Sequence, residues 1–149
     1  MRAVIQRVRC AEVTVADEII GKIGVGLVVL LAVHRDDTAG DVTWMRDKII
    51  HLRVFDDAQG KMNCSLTDIR GEMLIVSQFT LVGDCRRGRR PSWSQAASPA
   101  LAEQLYLDFI SLVADSGIAV QTGQFQAMMN VTLTNDGPVT LLLDSHKNF

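Results

Sequence analysis

A chain of 149 residues with 48% hydrophobic and 21% charged residues has room for one domain with a real core, and too little polarity for disorder. Its formal charge of −2 offers no general attraction to nucleic acid, so any such contact has to come from a local patch. Cys10, Cys64 and Cys85 are odd in number and widely spaced, with no Cys-x-x-Cys, which argues against a disulfide framework and for a reducing, cytoplasmic setting.

Arg2, Arg7 and Arg9 alternate with apolar residues near the start, which is a strand pattern and not a signal peptide. Ala3 to Val8 and Val13 to Val15 therefore predict strands with one wet face, and Ile19 to Ile23 a hairpin return. Leu27 to Val33 is continuously aliphatic, as a central strand covered on both faces would be. The longest apolar run, Val25 to Val33, is too short to span a bilayer, so no membrane association is expected. Thr38-x-x-Asp41 has the form of a capping box, with Asp in place of the usual Glu or Gln. Val42, Met45, Ile49 and Leu52 then recur at helical spacing through about Arg53. Val54-Phe55 and Lys61 to Leu66 read as short strands around an Asp-rich loop. Met73 to Leu81 reads as a longer β-prone run.

Val82 to Gln95 is the least regular and most charged segment, holding Arg86-Arg87-Gly88-Arg89-Arg90. Ser98-Pro99 is a good helix start, with Ser at the N-cap and Pro where its missing N–H is harmless. Ala102, Leu105, Phe109 and Leu112 would line one face of that helix, and Gly117 would close it. A short strand over Ile118 to Gln121 follows. Two alternating runs then flank Asn135-Asp136-Gly137-Pro138, a hairpin signal with a proline set awkwardly at its edge. About eight strands and two main helices in mixed order give an α+β fold class, a single domain with a curved, mostly antiparallel sheet or barrel.

A conventional active site is hard to find. His34 ends a strand, His51 sits in the first helix as a surface or packing residue, and His146 belongs to a loose tail. No spacing of His, Cys or carboxylates indicates a metal. Ser77 and Thr80 are hydroxyl candidates without a local base to activate them. The arginine run is the one local cation cluster, and phosphate is its natural partner.

Ser77-Gln78-Phe79-Thr80 and Asn135-Asp136-Gly137-Pro138-Val139-Thr140 resemble the two signature motifs of the D-aminoacyl-tRNA deacylases. The resemblance runs through Gln6-Arg7-Val8, Gly60-Lys61-Met62-Asn63, Arg90-Pro91-Ser92, Ala97-Ser98-Pro99 and Thr122-Gly123-x-Phe125. It implies an enzyme that hydrolyses the ester joining a D-amino acid, or glycine, to the terminal adenosine of tRNA. It also implies a homodimer with active sites at the subunit interface, no cofactor and no required metal. By the same likeness, Gly137 and Pro138 would form a Gly-cis-Pro pair inserted into the partner's pocket. Their carbonyls would hold the substrate's α-amino group and leave no room for an L side chain.

Ser77, Gln78, Phe79 and Thr80 would line that pocket, with the Phe79 and Thr80 main-chain N–H groups near the ester. Phe125 and Met129 would shape the adenosine end, and Arg7 would brace the tip. Arg86 and Arg87 are the candidates for tRNA phosphate. An aminoacyl ester is already activated and its neighbouring ribose 2′-OH can assist attack, so positioning and backbone donors could supply the rate. Trp93 stands where the family usually has Phe, Gln126 where a small residue is common and Arg89 where Asn is frequent. Two other classes stay open: an RNA-binding module using the arginine loop, and a Ser/Thr esterase in which Thr80 is the nucleophile.

Overall fold

A computed structural model describes the whole chain from Met1 to Phe149. Strand β1 (Arg2–Val15) is the beam of the fold. Along one edge it pairs antiparallel first with β3 (Gly26–Ala32) and then with β2 (Glu18–Ile23). Along the other it pairs with β8 (Asn130–Asp144). Beyond β3 the sheet continues in parallel through β6 (Glu72–Ser77) to β7 (Ala119–Thr122). The sheet curls until Gly21 of β2 lies against the Thr122 carbonyl of β7. A separate two-stranded ribbon joins β4 (Phe55–Asp56) to β5 (Met62–Cys64).

Helices α1 (Ala39–Ile50) and α3 (Pro99–Asp115) cover one face of the sheet, and a short α2 (Leu66–Ile69) precedes β6. The main core packs Ala3, Ile5, Leu27, Val29, Leu31, Met73 and Ile75 of the sheet against both long helices, with Val42, Met45 and Ile49 from α1 and Leu105, Phe109 and Val113 from α3. A second cluster, Val8, Ala11, Val13, Ile23, Val28, Leu74 and Val76, fills the opposite, concave face. Thus β3 and β6 are buried on both sides, as continuous aliphatic strands should be.

Local chemistry sets the helix starts. Thr38 and Asp41 form a reciprocal capping box on α1, the Asp41 carboxylate accepting from the Thr38 N–H at 2.9 Å. Burial works against ionisation of Asp41, but hydrogen bonds from Ser145 and Thr38 outweigh it and hold the carboxyl below its ordinary value. Ser98 caps α3 with Pro99 at its first turn, and Gly117 takes φ +79° just beyond its end. Leu105 and Phe109 are buried on α3 as expected, together with Tyr106 and Val113, while Ala102 and Leu112 are only partly buried against the core. The Tyr106 hydroxyl donates to the Ile75 carbonyl at 2.9 Å, which allows a polar tip inside the core.

Four expectations are corrected. Ala3 to Val8 and Val13 to Val15 are one strand, because β8 pairs with the beam nearly throughout. Lys61 to Leu66 divides at Ser65, which caps α2 in a second box with Asp68. The β-prone run stops at Ser77, and Phe79–Val82 form a 3-10 turn. Most consequentially, Asn135-Asp136-Gly137-Pro138 does not reverse the chain. Residues on both sides of it belong to β8 and pair with β1, so the tip is a bulge in an uninterrupted strand.

Candidate functional site

The bulge arises where Gln6 faces Thr140 and Val8 faces Asn135, leaving Arg7 alone opposite Asp136, Gly137, Pro138 and Val139. Its base is tied: the Asn135 side-chain amide donates to Thr140 Oγ1 at 2.9 Å, and the Val139 N–H donates to Asn135 Oδ1 at 3.3 Å. Gly137 has φ +109° and the Gly137–Pro138 peptide is cis. The backbone angle favours glycine, and a Cβ on Gly137 would lie 2.7 Å from Arg7 Nη2 and displace the end of that side chain. Pro138 offers no N–H and cannot rejoin the ladder.

Arg7 is 7% exposed and follows Ala3 and Ile5 on the inward face of β1. Its Nη1 donates to the Val54 carbonyl at 2.7 Å and its Nε to the Asp136 carbonyl at 3.2 Å. Asp136 and Asp56 supply carboxylates at 3.4 and 3.7 Å, and Arg9 adds a further bond to Asp136 at 2.9 Å. One guanidinium therefore links the bulge to the segment leaving α1.

Ser77 ends β6 and the chain turns sharply. Gln78 is fixed by its N–H to the Leu31 carbonyl at 2.8 Å, and the 3-10 turn begins at Phe79. The first N–H groups of such a turn have no acceptor within it. The turn has no side-chain cap, and no other protein acceptor meets the Phe79 or Thr80 N–H. The Thr80 hydroxyl accepts from the Gln78 side-chain amide, and no histidine or carboxylate bonds to it. The Phe79 side chain is 54% exposed and meets Trp93 edge to face at 5.2 Å between ring centroids.

Beside this turn, Gly123 donates its N–H to the Ile75 carbonyl at 3.0 Å, which brings the segment after β7 alongside β6. Met129 Sδ packs over Gly123, and Phe125 rests on Tyr106 with ring centroids 5.9 Å apart. Gln126 between them adopts φ +61°. Phe125 and Met129 thus flank the Ser77–Thr80 end of the sheet.

The tip is elsewhere. Arg7 pairs with Leu27 and Leu27 with Met73, and Ser77 lies four residues further along β6. Three strand spacings across and four residues along give roughly 20 Å between the bulge and Ser77 in one chain.

Of the arginine loop, Arg86 is held by Asp84 through two bonds of 2.9 and 2.7 Å. That pairing holds the Asp84 carboxyl well below the usual carboxylate range and raises Arg86. Arg87, Arg89 and Arg90 are exposed with no carboxylate partner. His146 is not in a free tail: its Nε2 lies 2.8 Å from Asp37 Oδ1, the carboxylate that also takes the Met1 ammonium at 2.5 Å. Asp37, Asp41 and His146 form a cluster of ligand-type atoms that pattern reading missed, because His146 lies more than 100 positions from the two aspartates. Asp37 there is already bonded to the ammonium, to His146 and to the His34 N–H.

A family model described as D-Tyr-tRNA(Tyr) deacylase matches residues 4–144. A protein of Clostridioides difficile (strain 630) named D-aminoacyl-tRNA deacylase is 59% identical over 149 residues, covering both chains completely. One of the same name from Desulfotalea psychrophila is 61% identical with the same coverage. A solved structure described as c-Myc DNA Unwinding Element Binding Protein superposes with TM-score 0.92 at 40% identity, over 97% of this chain and 98% of that one. A probable eukaryotic D-amino acid tRNA deacylase shares the fold, with TM-score 0.84 at 20% identity over 95% of this chain and 97% of that one.

Proposed function

The chain belongs to the D-aminoacyl-tRNA deacylase family, and from that membership we propose that it removes D-amino acids, and glycine, from tRNA as a cytoplasmic homodimer. The ester hydrolase activity on D-aminoacyl-tRNA is the shared property of the family. The substrate range, the assembly and the roles of individual residues are our reading.

One observation carries the mechanism: the Phe79 and Thr80 N–H groups stand free at the start of a turn that contains no general base. Two adjacent backbone donors can stabilise the oxyanion that forms when water attacks the ester carbonyl, because their orientation is fixed before the reaction. The Thr80 hydroxyl is hydrogen-bonded by an amide and gains no basicity from it. We therefore assign proton handling to the substrate's own 2′-OH and assign Ser77, Gln78, Phe79 and Thr80 to shaping the pocket. Phe125 and Met129 are assigned to the adenosine side.

Chirality is assigned to Gly137 and Pro138, braced by Arg7. The separation of about 20 Å inside one chain, estimated from strand geometry, supports a pocket completed by a second copy, whose tip enters beside Ser77–Thr80. A wall of backbone rejects an L side chain by collision while reading atoms common to all amino acids. For tRNA phosphate, Arg87 is the freer of the two expected residues, since Arg86 shares its charge with Asp84.

The deciding experiment is paired deacylation of D- and L-tyrosyl-tRNA, with glycyl-tRNA as a third substrate. Rapid loss of the D and glycyl esters with the L ester intact is expected. A D ester that survives excess protein would overturn the assignment. A stable, fully active monomer by mass measurement would overturn the shared pocket.

A further inference from the structure

Aromatic residues are scarce here, at 5% of the chain, and Phe55, Tyr106 and Phe109 are buried. Phe79 and Trp93 instead stand 54% and 41% exposed, in contact with each other. They are not loose. Trp93 packs over Gly83 so closely that a Cβ there would come within 2.5 Å of its ring. Immediately above, Asp84 and Ser92 exchange two backbone hydrogen bonds of 2.9 Å, closing a loop over residues 85–91. Immediately below, Gln95 and Ala96 are tied to Arg35 and His34. The result is a fixed aromatic platform at the foot of a loop that projects Arg87, Arg89 and Arg90 without acidic partners. Arg86 alone is neutralised, by Asp84.

Exposed rings beside unpaired arginines fit one chemistry, single-stranded nucleic acid, in which bases stack on the rings and phosphates meet the cations. A duplex hides its base faces and cannot use the rings. Phe79 belongs to the same turn as Thr80, so a strand crossing Trp93 would lead to the reacting ester. We infer that Trp93, propped by Phe79, stacks a base of the unpaired 3′ end of tRNA just before the terminal adenosine, while Arg87, Arg89 and Arg90 take the adjoining phosphates. The identity of the strand rests on the tRNA-hydrolase reading above; the existence of the track does not.

A Trp44→Phe variant leaves Trp93 as the sole tryptophan. In it, a short single-stranded RNA ending in CCA should quench the emission, and a blunt RNA hairpin should not. Equal quenching by both, or Trp93 already shielded from acrylamide in the free protein by its partner subunit, would overturn the track. In steady state, Trp93→Ala should raise KM for D-tyrosyl-tRNA roughly 5- to 150-fold with little change in kcat, the range expected for one lost base stack. The shift should be much smaller for the D-tyrosyl ester of adenosine. Trp93→Phe should recover most of the loss. Equal KM shifts for both substrates would mean a packing role and refute the inference. Replacing Arg87, Arg89 and Arg90 together with Ala should lower the slope of log KM against log salt by about 2, the value for three single-strand phosphates. An unchanged slope would remove the arginines from the track. Should wild-type protein fail to hydrolyse D-tyrosyl-tRNA, the hydrolase reading falls, and the fluorescence titration still decides the track.

Discussion

Replacing Arg7 with alanine tests whether the bulge in β8 is held in place or merely folded locally. The guanidinium is nearly buried and makes two bonds to carbonyls, Val54 at 2.7 Å and Asp136 at 3.2 Å. Hydrogen bonds from a charged donor are worth about 1.5–3 kcal/mol each, so the pair sets a ceiling near 6 kcal/mol. The carboxylates add little: Asp56 is 53% and Asp136 30% exposed, and such pairs are largely screened. Water can reach the Asp136 carbonyl once the side chain is gone, which leaves an expected loss of about 3–4 kcal/mol. At this chain length that lowers Tm by about 6–16 °C. Urea titration should be run at fixed protomer concentration, because dimerisation would make stability depend on it. Arg7→Lys keeps the charge but loses the fork, and should recover about half. Deacylation of the D ester should fall in parallel, and the ratio of D to L turnover should narrow as the tip loosens. A loss below about 1 kcal/mol with an unaltered ratio would refute the bracing role.

The other expectations are simpler. Thr80→Ala should retain activity within about tenfold, whereas loss of 10³-fold or more would restore Thr80 as a nucleophile. Tyr106 is the single tyrosine, and burial pushes its pKa up to about 12. A raised folded-state pKa means stability held at neutral pH and lost as pH climbs from 10 through 12. Tyrosinate absorbance should therefore rise together with unfolding, and Tyr106→Phe should cost about 1 kcal/mol at pH 7 while removing that alkaline loss. Burial opposes ionisation of Asp144, but bonds from Arg2, Asn148 and the His146 N–H outweigh it and hold its carboxyl below the ordinary value. Its stabilisation is present above the unfolded pKa and disappears as pH falls, so denaturation of Asp144→Asn should depend less on acid below about pH 4. Phe109→Ala, at a fully buried position, should cost about 3–5 kcal/mol by calorimetry.

Much of the fold is written in local patterns. The aliphatic run of β3 announces burial on both faces, and Thr38-x-x-Asp41 and Ser98-Pro99 mark helix starts because caps depend on neighbours a few residues away. Ser65-x-x-Asp68 carries the same signal and was legible, though overshadowed by the apolar residues before it. The bulge was not. Asn-Asp-Gly-Pro supplies the same positive φ and missing donor to a chain reversal as to an excursion. What separates them is that β1 is long enough to pair on both sides of the tip, a fact located 130 residues upstream. Likewise no local pattern joins His146 to Asp37 or Phe79 to Trp93. The site motifs could be matched to a family from their order, but Arg86's pairing with Asp84 depends on how the loop closes.

The beam β1 has a consequence of its own. Ala3 and Ile5 point into the main core, whereas Ala11 and Val13 point into the concave cluster, although alternation alone would put all four on one face. The exchange occurs at Arg9 and Cys10, two successive exposed residues where the pairing with β8 slips. This half-step lets one strand serve as the floor of two rooms. Deleting Arg9 would remove the slip, so that Val8 opposite Asn135 would be followed directly by Cys10 opposite Thr134, and Ala11 and Val13 would stay on the face that Val8 already fills. The protein should thus accept almost any side chain at Cys10, including a bulky label on its thiol, and keep both clusters filled when Arg9 is deleted, at the cost of the Arg9 bond to Asp136.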